Sequence, residues 1–180
     1  MAFSRTALSL LQKIFGETRP RAALAPLYRA AVARGRDPAW YLEGQVPDTL
    51  DGRFDMVAAI LALVMIRLEA EGEAGRGPSV LLTELFIDDM DGTLRQIGIG
   101  DYVVGKHVGK MMSALGGRLA AFRGGAGGPS FADAVRRNIF HDEPPSDEAV
   151  LWVAARLEAL DRALGAARLE TLLAGALPTP

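Results

Sequence analysis

Three aspartates stand almost side by side at Asp88, Asp89 and Asp91, in the stretch FIDDMDGTLR. Clustered carboxylates are what a divalent cation would need. Spacing argues against that use. On a helix Asp88 and Asp91 share a face, while Asp89 points about 100° away from Asp88. No His falls at a matching position in this helix, and the Asp-x-Asp-x-Asp-Gly pattern of a calcium loop is missing. We expect no metal site, and instead an acidic surface patch paired with Arg95 and neighbouring bases. Asp91 and Arg95 stand at i, i+4 in the favourable acid-first order.

The remaining reactive groups are sparse. His107 and His141 are the histidines of the chain and lie on different elements. No His-x-x-x-His, no Glu-x-x-His and no nucleophile elbow occurs. The glycines of GIGD at 98–101 follow no strand, so they mark a helix–helix corner and not a phosphate loop. The absence of cysteine removes thiol nucleophiles, disulfides and Cys metal sites together. Asp51 or Asp55, with Arg53 between them, reads as a cap and a local charge arrangement. The inventory disfavours an enzyme, and we expect no cofactor. A haem-handling protein using His107 or His141 stays open as an alternative.

These residues need helices to place them. Phe86–Phe122 reads as one helix, a corner at Gly98–Gly100, and a second helix opened by Asp101. At 100° per residue, Val104, Val108, Met111, Met112, Leu115, Leu119 and Phe122 fall on one apolar arc. Gly105, Gly109 and Gly116 form a strip without side chains beside that arc. Lys106, His107, Lys110 and Arg118 are read on the far side. Each interior glycine costs about 1 kcal/mol relative to alanine, so the strip needs a reason. Two are open: close approach of an internal helix such as Met56–Ile66, or a groove for a partner helix.

Upstream, QVPDTLDGRFDM offers Asp48, Thr49 and Asp51 as N-caps. From Phe54 to Leu68 nearly every position is apolar apart from Asp55 and Arg67. A helix apolar all round is buried on most sides, so residues 51–71 are placed at the centre. Residues 22–33 form a helix ended by Gly35. Asp37-Pro38 starts a short element whose Trp40 and Tyr41 belong to the core. GEAGRGP at 72–78 reads as a loop, with Ser79 capping the next helix. GGAGGP at 124–129 is a linker before a short helix from Ser130. A long helix runs from Ser146 to Ala163, and Gly165 precedes a last one ending near Ala174. The fold expected is all-α, a single bundle of about six to eight helices. Residues 1–18 are assigned to an amphipathic helix, 19–175 to the bundle and 176–180 to a frayed tail.

At 180 residues the chain is one domain, and 49% hydrophobic residues supply a sizeable core. A net charge of −2 gives no domain-wide basic field, so specific nucleic-acid binding is not expected. The longest uncharged apolar run, Met56 to Ile66, falls short of the roughly 18–20 residues that cross a bilayer. Within residues 1–16, Phe3, Leu8, Leu11, Ile14 and Phe15 share one face. That helix docks on the core, lies on a membrane surface, or acts as a short presequence. A secretory signal is not expected, because the apolar run is broken and no small-residue cleavage site follows. A peripheral membrane scaffold held through 1–16 is a further alternative. Lysine accounts for only Lys13, Lys106 and Lys110 among 20 basic residues. With abundant Ala and Gly, that bias is associated with GC-rich bacterial coding.

VPDTLDGRFDM, then FIDDMDGTLRQIGIGDYVVGKHVGKM, then GGRLAAF and RRNIF, resemble the ubiquinol–cytochrome c chaperone family over about Leu27 to Phe140. The family pattern falls on Asp48, Arg53, Asp91, Arg95, Gly98, Asp101, Lys106, Gly117 and Arg118, among others. Departures include Ala59-Ile60, where many members have Leu-His, and Gly116, where an aromatic often stands. The resemblance implies an all-helical, non-enzymatic assembly factor for cytochrome b of respiratory complex III. It implies a protein client, cytochrome b, and a small helical co-chaperone. In mitochondrial members the work takes place at the ribosome exit, and a ribosome contact is compatible with, though not implied for, a chain this short. The expected location is the bacterial cytoplasm at the inner face of the inner membrane, or else the matrix side of the mitochondrial inner membrane. The candidate partner-binding residues are Asp48, Arg53, Asp88, Asp91, Arg95, Tyr102, Gly105, Lys106, Gly109, Lys110, Gly117 and Arg118.

Overall fold

The computed structural model describes residues 20–96, 101–123 and 129–179. Its helices in chain order are α1 (Pro20–Gly35), α2 (Ala39–Leu42), α3 (Leu50–Glu69), α4 (Glu73–Gln96), α5 (Asp101–Phe122), α6 (Pro129–Ile139), α7 (Asp147–Ala166) and α8 (Leu169–Leu173). No strand occurs among the described residues. The all-α bundle around a buried central helix is therefore what the chain forms. The expected helix at 1–18, the corner at Gly98–Gly100 and most of the 124–129 linker lie outside the described residues.

The centre is α3. Thr49 wins the N-cap from its acidic neighbours: its hydroxyl accepts the Gly52 N–H at 3.1 Å. From Asp55 through Met65 every residue is buried. Helices α1, α4, α5, α6 and α7 all pack against it. Burying each large apolar side chain contributes about 1.5–3 kcal/mol, so this one helix carries much of the driving force.

Two boundaries differ from expectation. The glycines and proline of 72–78 do not form a loop beyond the first reversal, where Gly72 has φ +59. Helix α4 starts at Glu73 and includes Gly75, Pro78 and Ser79. Gly75 serves packing: a Cβ there would lie 1.7 Å from the Leu68 carbonyl oxygen. At the other end, α7 continues through Gly165 and stops at Ala167, which is extended. Arg67 of α3 explains the stop. Its Nε donates to the Leu164 carbonyl at 2.9 Å and its Nη2 to the Ala167 carbonyl at 3.0 Å, so the helix end is satisfied from outside. The start of α7 follows expectation, with the Ser146 hydroxyl accepting the Ala149 N–H.

These two glycines should respond oppositely to alanine. Gly75→Ala forces backbone apart and should lower stability by about 1–3 kcal/mol despite better helix propensity. No described atom lies within 4 Å of a Cβ at Gly165, so Gly165→Ala should raise stability by up to about 1 kcal/mol. Urea midpoints of the two variants check both signs.

The short helix α2 is locked onto the end of α1. Trp40 Nε1 donates to the Arg34 carbonyl and Tyr41 Oη to the Gly35 carbonyl, each at 2.8 Å. Trp40 is buried and meets Trp152 of α7 edge-on at 5.9 Å, with the Arg156 guanidinium over both rings. The aromatic pair Trp40–Tyr41 thus belongs to core packing, as the sequence implies.

Candidate functional site

The acidic stretch of α4 is divided among three different partners. Asp88 is held by Arg21 of α1, whose guanidinium also reaches the Glu84 carbonyl. Asp89 accepts the Tyr28 hydroxyl at 2.7 Å. Burial first, and that bond second, push the Tyr28 phenol well above its ordinary pKa. Asp91 takes the Arg95 Nε at 2.7 Å, one turn away on the same helix. The patch ties α4 to α1 and leaves the Asp91–Arg95 pair on the surface. Exposed pairs of this kind contribute little to stability.

Helix α5 is divided along its length. Leu115 and Phe122 are buried, and Met111, Met112 and Leu119 pack partly against the core. Ahead of them Gly105, Lys106, Gly109 and Lys110 are exposed, as are Gly116 and Gly117 further along. No described atom comes within 4 Å of a Cβ built at Gly105, Gly109, Gly116 or Gly117. Close packing of this strip against the Met56–Ile66 helix is thereby ruled out. Tyr102 falls in the first turn of α5, and its side chain lies outside the described residues.

Arg118 is the main correction. It does not join Lys106 and Lys110 on an exposed basic face, being only 2% exposed. Its Nη2 reaches both Asp55 and the Asn138 carbonyl, and its Nη1 donates to the Ala114 carbonyl at 3.1 Å. The guanidinium lies 5.7 Å from the centre of the Phe54 ring. Asp55, also buried, accepts a second contact from His141 Nε2 at 2.7 Å. Burial raises the Asp55 pKa against the pull of Arg118 and His141, and burial lowers that of Arg118. His141 and Asp142 have φ of +50 and +64, a left-handed backbone that non-glycine residues seldom adopt. The bend after α6 sits where it delivers the imidazole to Asp55. No side-chain hydroxyl joins this Asp–His contact among the described residues. It pins α3, α5 and the α6–α7 connection to one another. In the sequence, Asp55 carried the one available signal: an acid in an otherwise apolar run.

Asp48 and Arg53 are brought together at the junction of α2 and α3, with Arg53 Nε donating to Asp48 at 2.6 Å. That bond holds Asp48 below the usual carboxylate range. The pair borders a hollow of about 220 Å³ shared with Arg36, Pro38, Tyr41 and Leu42. The candidate residues therefore scatter: Asp48 and Arg53 at this junction, Asp88 tied to Arg21 of α1, Asp91 and Arg95 at the edge of α4, the glycines and lysines on the open face of α5, and Arg118 buried against Asp55.

The described helices α3 to α8 coincide with a match to a known family. The family model described as ubiquinol-cytochrome C chaperone covers residues 42–177, well over half of the chain. The chain belongs to the ubiquinol-cytochrome C chaperone family. Among solved structures it is similar to the Cbp3 homolog from Brucella abortus, known from a crystal structure. The two share 26% identity and a TM-score of 0.77, over 97% of this chain and 93% of that one. A search of the curated proteins gave no match. No described helix is long and apolar enough to cross a membrane.

Proposed function

We propose that this chaperone-family protein is a non-enzymatic assembly factor that binds newly made cytochrome b during biogenesis of the cytochrome bc complex. The family match carries the proposal. The client-facing surface is assigned to the open face of α5, Gly105, Lys106, Gly109 and Lys110, with the exposed Asp91–Arg95 pair of α4 as a second element. Two physical features support that choice. Helical glycines that no described residue covers are a local cost, which a partner helix lying close to the backbone would offset. Lysines beside the strip suit an anionic membrane surface or the acidic ends of a client. The work is placed at the inner face of the bacterial inner membrane, with a small helical co-chaperone as the second partner.

Deleting the gene in its source organism should lower cytochrome b and complex III activity together, and re-expression should restore both. Unchanged cytochrome b in the deletion strain would sink this reading.

A further inference from the structure

The hollow at the α2–α3 junction adjoins another across Arg36 and Pro38. A second, more open hollow of about 490 Å³ shares Arg36 and Pro38 as walls. It continues past Ala30, Ala33 and Arg34 of α1 to Leu177. The two hollows adjoin at Arg36 and Pro38, and their apolar walls are interrupted by guanidinium groups. Leu42 stands on its rim with 80% of its surface exposed, the most exposed large apolar side chain described.

Charge around the two hollows is uneven. Their acids are Asp37 and Asp48. Asp37 accepts the Ala39 N–H at 2.9 Å and faces Arg156 at 4.0 Å. Asp48 is taken by Arg53 Nε. Their bases are Arg34, Arg36 and Arg53. Arg36 is exposed and has no ion-pair partner among the described residues. Arg53 is oriented by Asp48 through Nε alone, which leaves its Nη groups for a second carboxylate. Tyr41, bonded to Gly35, holds the wall between them in place.

We propose that this groove binds an extended acidic segment of a partner protein, with carboxylates on Arg36 and Arg53 and apolar side chains against Leu42, Pro38 and Leu177. Guanidinium forks suit carboxylates, and alternation of charge and apolar wall suits an extended chain whose side chains point alternately. The proposal rests on reading the chain as a partner-binding protein and gives Asp48 and Arg53 their role. Its test is independent of complex III assembly, so each can fail alone.

The experiment titrates the ¹⁵N-labelled full chain with a capped eight-residue peptide of alternating leucine and glutamate. A second peptide carries glutamine in place of glutamate, and a third probe is phosphatidylglycerol vesicles. The glutamate peptide should shift amides between residues 34 and 53 and near 177, and bind at least about tenfold tighter than the glutamine peptide. Arg36→Glu, at an exposed position, should keep the melting temperature and lose at least about tenfold in affinity. Leu42→Ser should weaken binding by a smaller factor. Absence of shifts, equal binding of both peptides, or full affinity in Arg36→Glu overturns the proposal. So does perturbation of these amides by vesicles alone, which would make the occupant a membrane.

Discussion

Arg118→Met should lower the free energy of unfolding by about 3–5 kcal/mol. The cause is the charge left behind. Asp55 is 3% exposed, and its two oxygens are engaged by Arg118 and His141. Removing the guanidinium leaves that carboxylate buried with one partner, and strips the donor from the Asn138 and Ala114 carbonyls. Arg118→Lys should fall between, since an ammonium keeps the charge but cannot fork to both acceptors. The decisive variant is the double one. Asp55→Leu with Arg118→Met removes both charges and should recover much of the loss, as replaced buried pairs often do. Chemical denaturation of the singles and the double gives the coupling directly. A loss under about 1 kcal/mol in Arg118→Met would mean that the side chain is solvated in solution.

Gly105→Leu combined with Gly109→Leu should abolish cytochrome b capture without lowering the melting transition. A Cβ at either position meets no described atom, so larger side chains project outward and strain nothing. They would, however, hold a partner helix off the α5 backbone by the thickness of a leucine side chain. The corresponding alanine variants sharpen the comparison. Each should stabilise the helix by up to about 1 kcal/mol while keeping the face shallow. Co-purification of cytochrome b, read beside a thermal melt by circular dichroism, separates the two effects. Capture retained in the leucine variant would move the client site off this face.

How far the sequence carries can be judged from single residues. The central helix was plain, because an apolar run from Phe54 to Leu68 admits no solvated face. The start of α3 was legible from cap chemistry with Thr49 one of three candidates, and the start of α7 at Ser146 and the core position of Trp40 also agree with the structure. Arg118 was misplaced by residue type. Its spacing, three after Leu115 and four before Phe122, puts it on the buried face of α5, and only its charge argued for the surface. A buried arginine can be read from a sequence only together with its acid, and Asp55 lies 63 positions away. Glycine misled in both directions. At Gly75 it permits contact with Leu68, where composition implied a loop, whereas at Gly109 no described residue stands opposite it, where helix packing was one of the two readings. Local pattern cannot distinguish these, because the difference lies in what stands opposite.

Trp40 and Trp152 are the two tryptophans of the chain, and their rings meet at 5.9 Å. Intrinsic emission at long excitation wavelengths therefore comes from one spot, where α2 meets α7. Its quantum yield answers to Arg156 above both rings, to the Arg34 carbonyl on the Trp40 indole, and to the seam beside Gly44. The protein carries a built-in optical probe of the α2 end of the peptide groove. Events on the far half of α5 leave that probe silent unless they travel through the bundle. A quenching signal on adding a partner would thus report which of the two surfaces had been occupied, without any label.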